Sequence, residues 1–195
     1  MWYIRCMMIL FLLFPFLQAH ILVVEEKPAF IQNTQISECM AQEDPVRCMA
    51  SLQGVLSVDY RTSSHFSSLK IKARQPVAYW GAGLVDQSGH WFQVPQLNEN
   101  QSLPSLDVQE ADLYDAIALL GRFTSKHWSV KYIEKAAGGQ WQVGLQDGPL
   151  LYLGSSPSSK MASLEQFFHE HPQALQSTKS YFDFRNPAMV TRGQQ

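Results

Sequence analysis

Clustered charge is what this sequence most lacks. Lys and Arg number 15 against 17 Asp and Glu, the formal net charge is −2, and no long block of either sign occurs. A surface that tracks phosphates needs Lys and Arg gathered together, so nucleic acid is excluded as a partner class. Cysteine is scarce as well. Cys6, Cys39 and Cys48 are the whole complement, with no Cys-x-x-Cys pair and no Cys/His zinc spacing. Gly81, Gly83, Gly138 and Gly139 lack the following helix and Lys of a phosphate cradle. There is no Gly-x-Ser-x-Gly elbow or other activated nucleophile, and no internal repeat or low-complexity tract. No catalytic group, metal or cofactor is assigned. What is plentiful is apolar surface: 46% hydrophobic residues, with 12% aromatic, in 195 residues. That composition predicts one large or two small domains with packed cores rather than a disordered chain.

The longest apolar run stands at the N-terminus. Cys6–Leu17 carries no charged or strongly polar side chain, and with Gln18 and His20 as interruptions the stretch reaches Val24. A spanning helix needs about 20 residues, so the run is long enough if it extends that far. Arg5 precedes it and Glu25 and Glu26 follow, which puts the N-terminus in the cytoplasm and the rest outside. An anchor over residues 1–20, holding the membrane through residues 6–20, is expected. A cleaved signal peptide with a break at Pro15 is the rival reading. Both export the remainder.

Residues 21–75 read as a βααββ unit. Ile21–Val24 is a short strand, although the bilayer competes for the same residues. Asn33 and Thr34 open a helix carrying Ile36, Cys39 and Met40 on one face. Asp44-Pro45 opens another, with Asp at the cap and Pro at the first helical position, and Gly54 ends it. Val55–Thr62 and Phe66–Arg74 alternate apolar with polar, which is the period of half-buried strands, and Ser63-Ser64-His65 links them. With Cys6 in the apolar run, Cys39 and Cys48 are the one candidate pair. They either form a disulfide in an oxidising compartment or remain two helical cysteines that never meet.

Residues 76–192 read as a mostly antiparallel β domain with two helices, and 193–195 as a tail; the fold class is α+β. Val77–Trp80, Leu84–Asp86 and His90–Gln93 are short strands, the last two joined by a turn at Asp86–Gly89. After a loop with Pro95 and Pro104, Asp107-x-x-Glu110 predicts a capping box before a helix with Leu113, Ile117 and Leu120 inward. Strands follow around Trp128–Ile133, Trp141–Leu145 and Pro149–Leu153, turned at Gly138-Gly139 and Gln146-Asp147-Gly148. A second helix spans about Lys160–His171, facing inward with Met161, Leu164 and Phe168. Lys179–Arg185 alternates again, Asn186-Pro187 breaks it, and Ala188–Thr191 is the last strand.

The histidines do not assemble a site. His169 and His171 lie two apart on a helix, about 200° around its axis, so they cannot chelate one ion together. Asp86 with Ser88 and His90 is explained by turn geometry. A hydrolase around Asp86, His90 and Glu110 remains a competing reading, and it requires those groups to converge in a cleft. Trp80, Trp91, Trp128 and Trp141 fall in expected strands, as packing residues.

The string Leu69 to Trp80, ending Pro76-Val77-Ala78-Tyr79-Trp80, is followed by Leu84-Val85-Asp86, Gly89 and Phe92. Next in order come Leu103-Pro104-Ser105-Leu106, Trp141-x-Val143-x-Leu145, Gly148, Leu151-x-Leu153-Gly154 and Tyr181-Phe182-Asp183-Phe184-Arg185. This ordered series, over roughly residues 45–192, resembles the bacterial cell-division FtsQ (DivIB) family. The resemblance implies a single-pass inner-membrane protein with its N-terminus in the cytoplasm, a POTRA domain (here shortened) and a β domain in the periplasm. It implies a septal divisome scaffold whose partners are FtsB and FtsL, with other division proteins meeting the POTRA-like domain. The partner adds a strand beside the last strand, so Arg185, Asn186, Ala188, Met189, Val190 and Thr191 are the implied contacts. The chain departs from the family pattern at Asn186-Pro187, where the link is about two residues shorter, and at Gly138-Gly139, where some members place arginines. A transport-type POTRA module exposing a sheet edge in its first domain is a further alternative.

Overall fold

The computed structural model describes residues 21–28, 30–62, 66–94, 102–186 and 190–194. The expected anchor over residues 1–20, the Ser63-Ser64-His65 link, Pro95, and the expected contacts Ala188 and Met189 lie outside the described residues. Among the described residues no helix is long and apolar enough to cross a membrane. These residues divide into two compact units, one within the spans Met1–Gln75 and Phe92–Leu97, the other within Pro76–Trp91 and Asn98–Gln195.

The first unit runs β1 (Ile21–Glu26), α1 (Asn33–Met40), α2 (Pro45–Ala50), β2 (Val55–Thr62) and β3 (Phe66–Ala73). Its sheet has the order β1-β3-β2, with β1 parallel and β2 antiparallel to the central β3. This βααββ path and strand order match a POTRA-like fold. Leu22 and Val24 of β1 pack on the core, so residues that extended the apolar N-terminal stretch serve here as a strand. Alternation decides which face of β3 is buried: Leu69 and Ile71 point inward, to meet Ile36, Cys39 and Met49 of the helices, while Lys72 stays outside.

Asp44 caps α2 as its sequence predicts, accepting a hydrogen bond from the Arg47 N–H at 3.0 Å. The cap of α1 is one residue earlier than expected. Gln32 holds that position, and its N–H donates to the Gln35 side chain at 2.8 Å, a reciprocal arrangement in which Gln does the work usually given to Ser or Thr. Between the helices, Cys39 and Cys48 are joined as a disulfide, their Cα atoms 5.3 Å apart. The sequence left that pairing open because helix spacing alone does not say whether two cysteines on separate short helices face each other.

The second unit is built on a sheet in the order β12-β11-β10-β9-β8-β7-β4-β5-β6. Its elements are β4 (Pro76–Trp80), β5 (Gly83–Asp86), β6 (Trp91–Phe92), β7 (Ser105–Asp107), α3 (Leu113–Ser125), β8 (Val130–Ala136), β9 (Gln140–Leu145), β10 (Leu150–Gly154), α4 (Met161–Glu170), β11 (Ser180–Asp183) and β12 (Thr191–Gln194). The expected hairpins β8–β9 and β9–β10 are antiparallel. The sheet is mostly antiparallel, as expected, but it also holds parallel pairs: β4 with β7, β7 with β8, and β10 with β11. Parallel neighbours need a crossover, and α3 and α4 supply two of them. Both helices bury their apolar faces in one core with Ile133, Val143, Leu151 and Phe182.

Three expectations are corrected here. Asp107 does not cap a helix; it ends β7, opposite Glu134 of β8, and a short 3₁₀ turn at Glu110–Asp112 leads into α3. Strand pairing claims Asp107 before the helix can. Asp112 instead forms an ion pair with Lys135, whose ammonium also lies 5.3 Å from the Trp141 ring centroid. Trp128 precedes β8 instead of opening it, and packs edge-on against Phe123 and Phe168 at 5.5 and 5.1 Å. Finally, of the last strand expected over Ala188–Thr191, Val190 precedes β12 and only Thr191 belongs to it. β12 runs over Thr191–Gln194, into residues read as a tail.

Trp141 is 2% exposed at the centre of this core, so Trp141→Ala is expected to destabilise the second unit by about 3–5 kcal/mol in urea unfolding. A midpoint close to wild type would place the ring outside the core. In the first unit, replacing both Cys39 and Cys48 by Ser is expected to cost about 2–3 kcal/mol, the loop-closure value for so short a loop. Treatment with a thiol reductant should reproduce that loss in the parent and leave the double variant unchanged.

Candidate partner-binding edge

The register of the second sheet sorts its side chains into rows that end at β12. One row on the face turned from the helices runs Tyr132, Gly144, Leu150, Tyr181, Gly193, and the next runs Glu134, Gln142, Tyr152, Asp183, Thr191. Between them, facing the helices, lies the row Ile133, Val143, Leu151, Phe182, Arg192. The first four residues of that inner row are core, and Arg192 is exposed.

Tyr181 sits where two strands meet the open edge. A Cβ added to Gly193 would lie 2.2 Å from Cζ of the Tyr181 ring and 2.3 Å from its hydroxyl oxygen. The ring therefore lies across β12, and only glycine leaves room for it. Tyr132 covers Gly144 in the same way, with Cε1 of its ring 2.3 Å from a Cβ added there. Burial, helped by the Glu134 carboxylate, pushes the Tyr132 phenol above its ordinary pKa. Tyr152 meets Tyr181 edge-on at 5.5 Å and fixes the pose of the second ring.

Arg185 closes the site. Its guanidinium pairs with the Asp183 carboxylate and lies 5.7 Å from the Tyr152 ring centroid, while its own backbone N–H donates to Asp183 Oδ1 at 2.9 Å. Lys160 donates to the Arg185 carbonyl at 3.2 Å. Hydrogen bonds from the Arg185 side chain hold Asp183 below the usual carboxylate range, against the opposing effect of partial burial. Of the expected contacts, Arg185 and Thr191 are thus brought together on either side of Asp183. Asn186 follows Arg185 in an exposed bend and Val190 is exposed just before β12. Arg192, Gly193 and Gln194 belong to the edge and were missed, because Gly and Gln are poor strand formers and gave no alternation to read.

The competing catalytic reading finds Asp86 otherwise engaged. Asp86 Oδ1 accepts hydrogen bonds from the Ser88 N–H, the Ser88 hydroxyl and the His90 N–H at 2.9, 2.6 and 3.0 Å, which makes it the bracket of its own turn. Among the described residues no group of three or more His, Cys, Asp or Glu could hold a metal ion. His171 ends α4 with its ring against Phe167 at 5.0 Å.

The family described as cell division protein FtsQ/DivIB, C-terminal, matches residues 78–185. The chain belongs to the FtsQ/DivIB family. That family is one of cell-division proteins and is not catalytic. The chain is also 28% identical over 104 residues to cell division protein FtsQ of Xanthomonas campestris pv. campestris, a match covering 51% of this chain and 37% of that relative. The FtsQ/DivIB match ends at residue 185, so β12 lies beyond it.

The lowered Asp183 pKa gives a pH prediction with a definite sign. Its contribution to stability is complete above the ordinary aspartate value of about 3.9 and is lost as pH falls through the depressed folded value. Carboxyl chemical shifts should show Asp183 titrating below ordinary aspartate, and Arg185→Gln should return it upward. An Asp183 that titrates alike in both proteins would mean that the pair does not hold in solution.

Proposed function

We propose that this chain is a divisome scaffold of the bacterial inner membrane, anchored by residues 1–20 with the N-terminus in the cytoplasm. In this reading a POTRA-like domain over 21–75 and a β domain over 76–192 lie in the periplasm, and the β domain takes up a strand from an FtsB- or FtsL-type division protein. The observation that carries it is the position of β12. Among the described residues it stands at the end of the sheet order with β11 as its neighbour, so its other side is an edge of backbone N–H and C=O groups. Strand addition supplies ladder hydrogen bonds and needs no reaction centre, while alternate side chains provide selectivity. Family membership supports a role in division, and the disulfide between Cys39 and Cys48 fits an oxidising compartment outside the cytoplasm. Arg185, Asn186, Val190 and Thr191, with Ala188 and Met189, are assigned to the contact.

A charged side chain on an edge strand opposes pairing without disturbing a core. Thr191→Lys is therefore expected to weaken capture of the FtsB-type protein of the same organism by at least about tenfold, about 1.4 kcal/mol, with the thermal midpoint unchanged. Equal affinity for both proteins in a titration would remove β12 from the contact.

A further inference from the structure

We infer that Arg192, together with Tyr181 and Gly193, makes β12 a selective edge: it rejects apolar strands and admits one carrying a carboxylate opposite Arg192 beside a large apolar side chain opposite Gly193. The inference rests on the strand-addition reading and specifies which strand is added.

Ile133, Val143, Leu151 and Phe182 continue the hydrophobic layer across four strands, and a fifth apolar residue on β12 would present that layer to any passing strand. Arg192 stands there instead. Its side chain is exposed and leans on Ser180, with Nη2 3.4 Å from Oγ. A cation ending an apolar row is a recognised block to edge-to-edge association. A second copy pairing through β12 would bring arginine toward arginine, and an apolar strand would desolvate the guanidinium without a partner. A carboxylate at that register reverses the sign of the effect, because charge complementarity then favours the wanted strand and penalises others.

The outer row supplies the second requirement. With no side chain on Gly193, the Tyr181 ring reaches over β12 and its hydroxyl end approaches the open side. A strand added there places its outward residue opposite Gly193 against that ring, at the spacing of neighbouring strands, about 4.8 Å. A large apolar side chain covers the ring and extends the row from Leu150 and Tyr181. Since successive residues of a strand face opposite ways, the apolar residue and the carboxylate are adjacent in the partner sequence.

The test uses the full chain and, as probe, the FtsB-type division protein of the same organism. Amide hydrogen exchange of residues 191–194 is followed with and without it, and affinity is titrated at low and high salt. Protection of β12 is expected, with Arg192→Glu and Tyr181→Ala each weakening binding about tenfold or more. Arg192→Leu should lose the salt dependence of binding and begin to self-associate in sedimentation. If β12 is protected but Arg192→Glu and Tyr181→Ala bind as the parent does at both salt concentrations, the selectivity inference is overturned and strand addition stands. If the probe binds without protecting β12, strand addition at this edge fails, and this inference fails with it.

Discussion

The parallel pairing of β10 with β11 decides where this sheet ends. Tyr152 stands opposite Asp183 across that pair, and the Phe184 N–H extends it by donating to the Tyr152 carbonyl at 2.8 Å. Two parallel strands cannot be joined by a tight turn, so the chain crosses through α4. The crossover holds because Met161, Leu164 and Phe168 are buried, and because Phe167 meets Phe182 at 5.0 Å and Phe184 at 5.5 Å. With β11 set beside β10, β12 pairs on its other side and is the outermost strand among the described residues.

Most of what surrounds that edge follows from this placement. Asp183, on the outer face of β11, is within reach of Arg185 because the chain bends immediately after the strand. Tyr181, two residues earlier on the same face, finds Gly193 beside it and lies down across β12. The inner face of the same strand delivers Phe182 to the core and so puts Arg192 at the rim. Ion pairs on an exposed surface stabilise little. The Asp183–Arg185 pair therefore acts mainly by fixing the shape of the rim, with the Tyr152 ring beneath the guanidinium.

Where side-chain period and local chemistry agree, the sequence was readable. Leu69 and Ile71 alternate with lysines and form β3; Asp44-Pro45 opens α2; Met161, Leu164 and Phe168 mark the inner face of α4. The ordered family motifs likewise pointed to the FtsQ/DivIB match over 78–185. It failed where tertiary pairing overrides local preference. Asp107 carries a cap signature yet is taken by β7, where it pairs with Glu134 of β8. Of Thr191-Arg192-Gly193-Gln194 only Thr191 favours a strand by itself, and the segment is one because β11 offers it a ladder. Periodicity also carries no information on whether neighbouring strands run parallel, so the crossovers through α3 and α4 were invisible. Of the residues at this edge, Arg185 and Thr191 were named from family position as expected contacts; Arg192 and Gly193 acquire meaning only from the residues opposite them.

The central claim is that β12, rather than an edge of the first unit, receives the partner in dividing cells. A photo-crosslinking amino acid placed in turn at Gln194 of β12 and at Leu56, 55% exposed on the edge strand β2 of the first unit, tests it directly. The account predicts a crosslink from Gln194 to an FtsB- or FtsL-type division protein and no crosslink to that protein from Leu56. A crosslink to it from Leu56 with none from Gln194 would contradict the account.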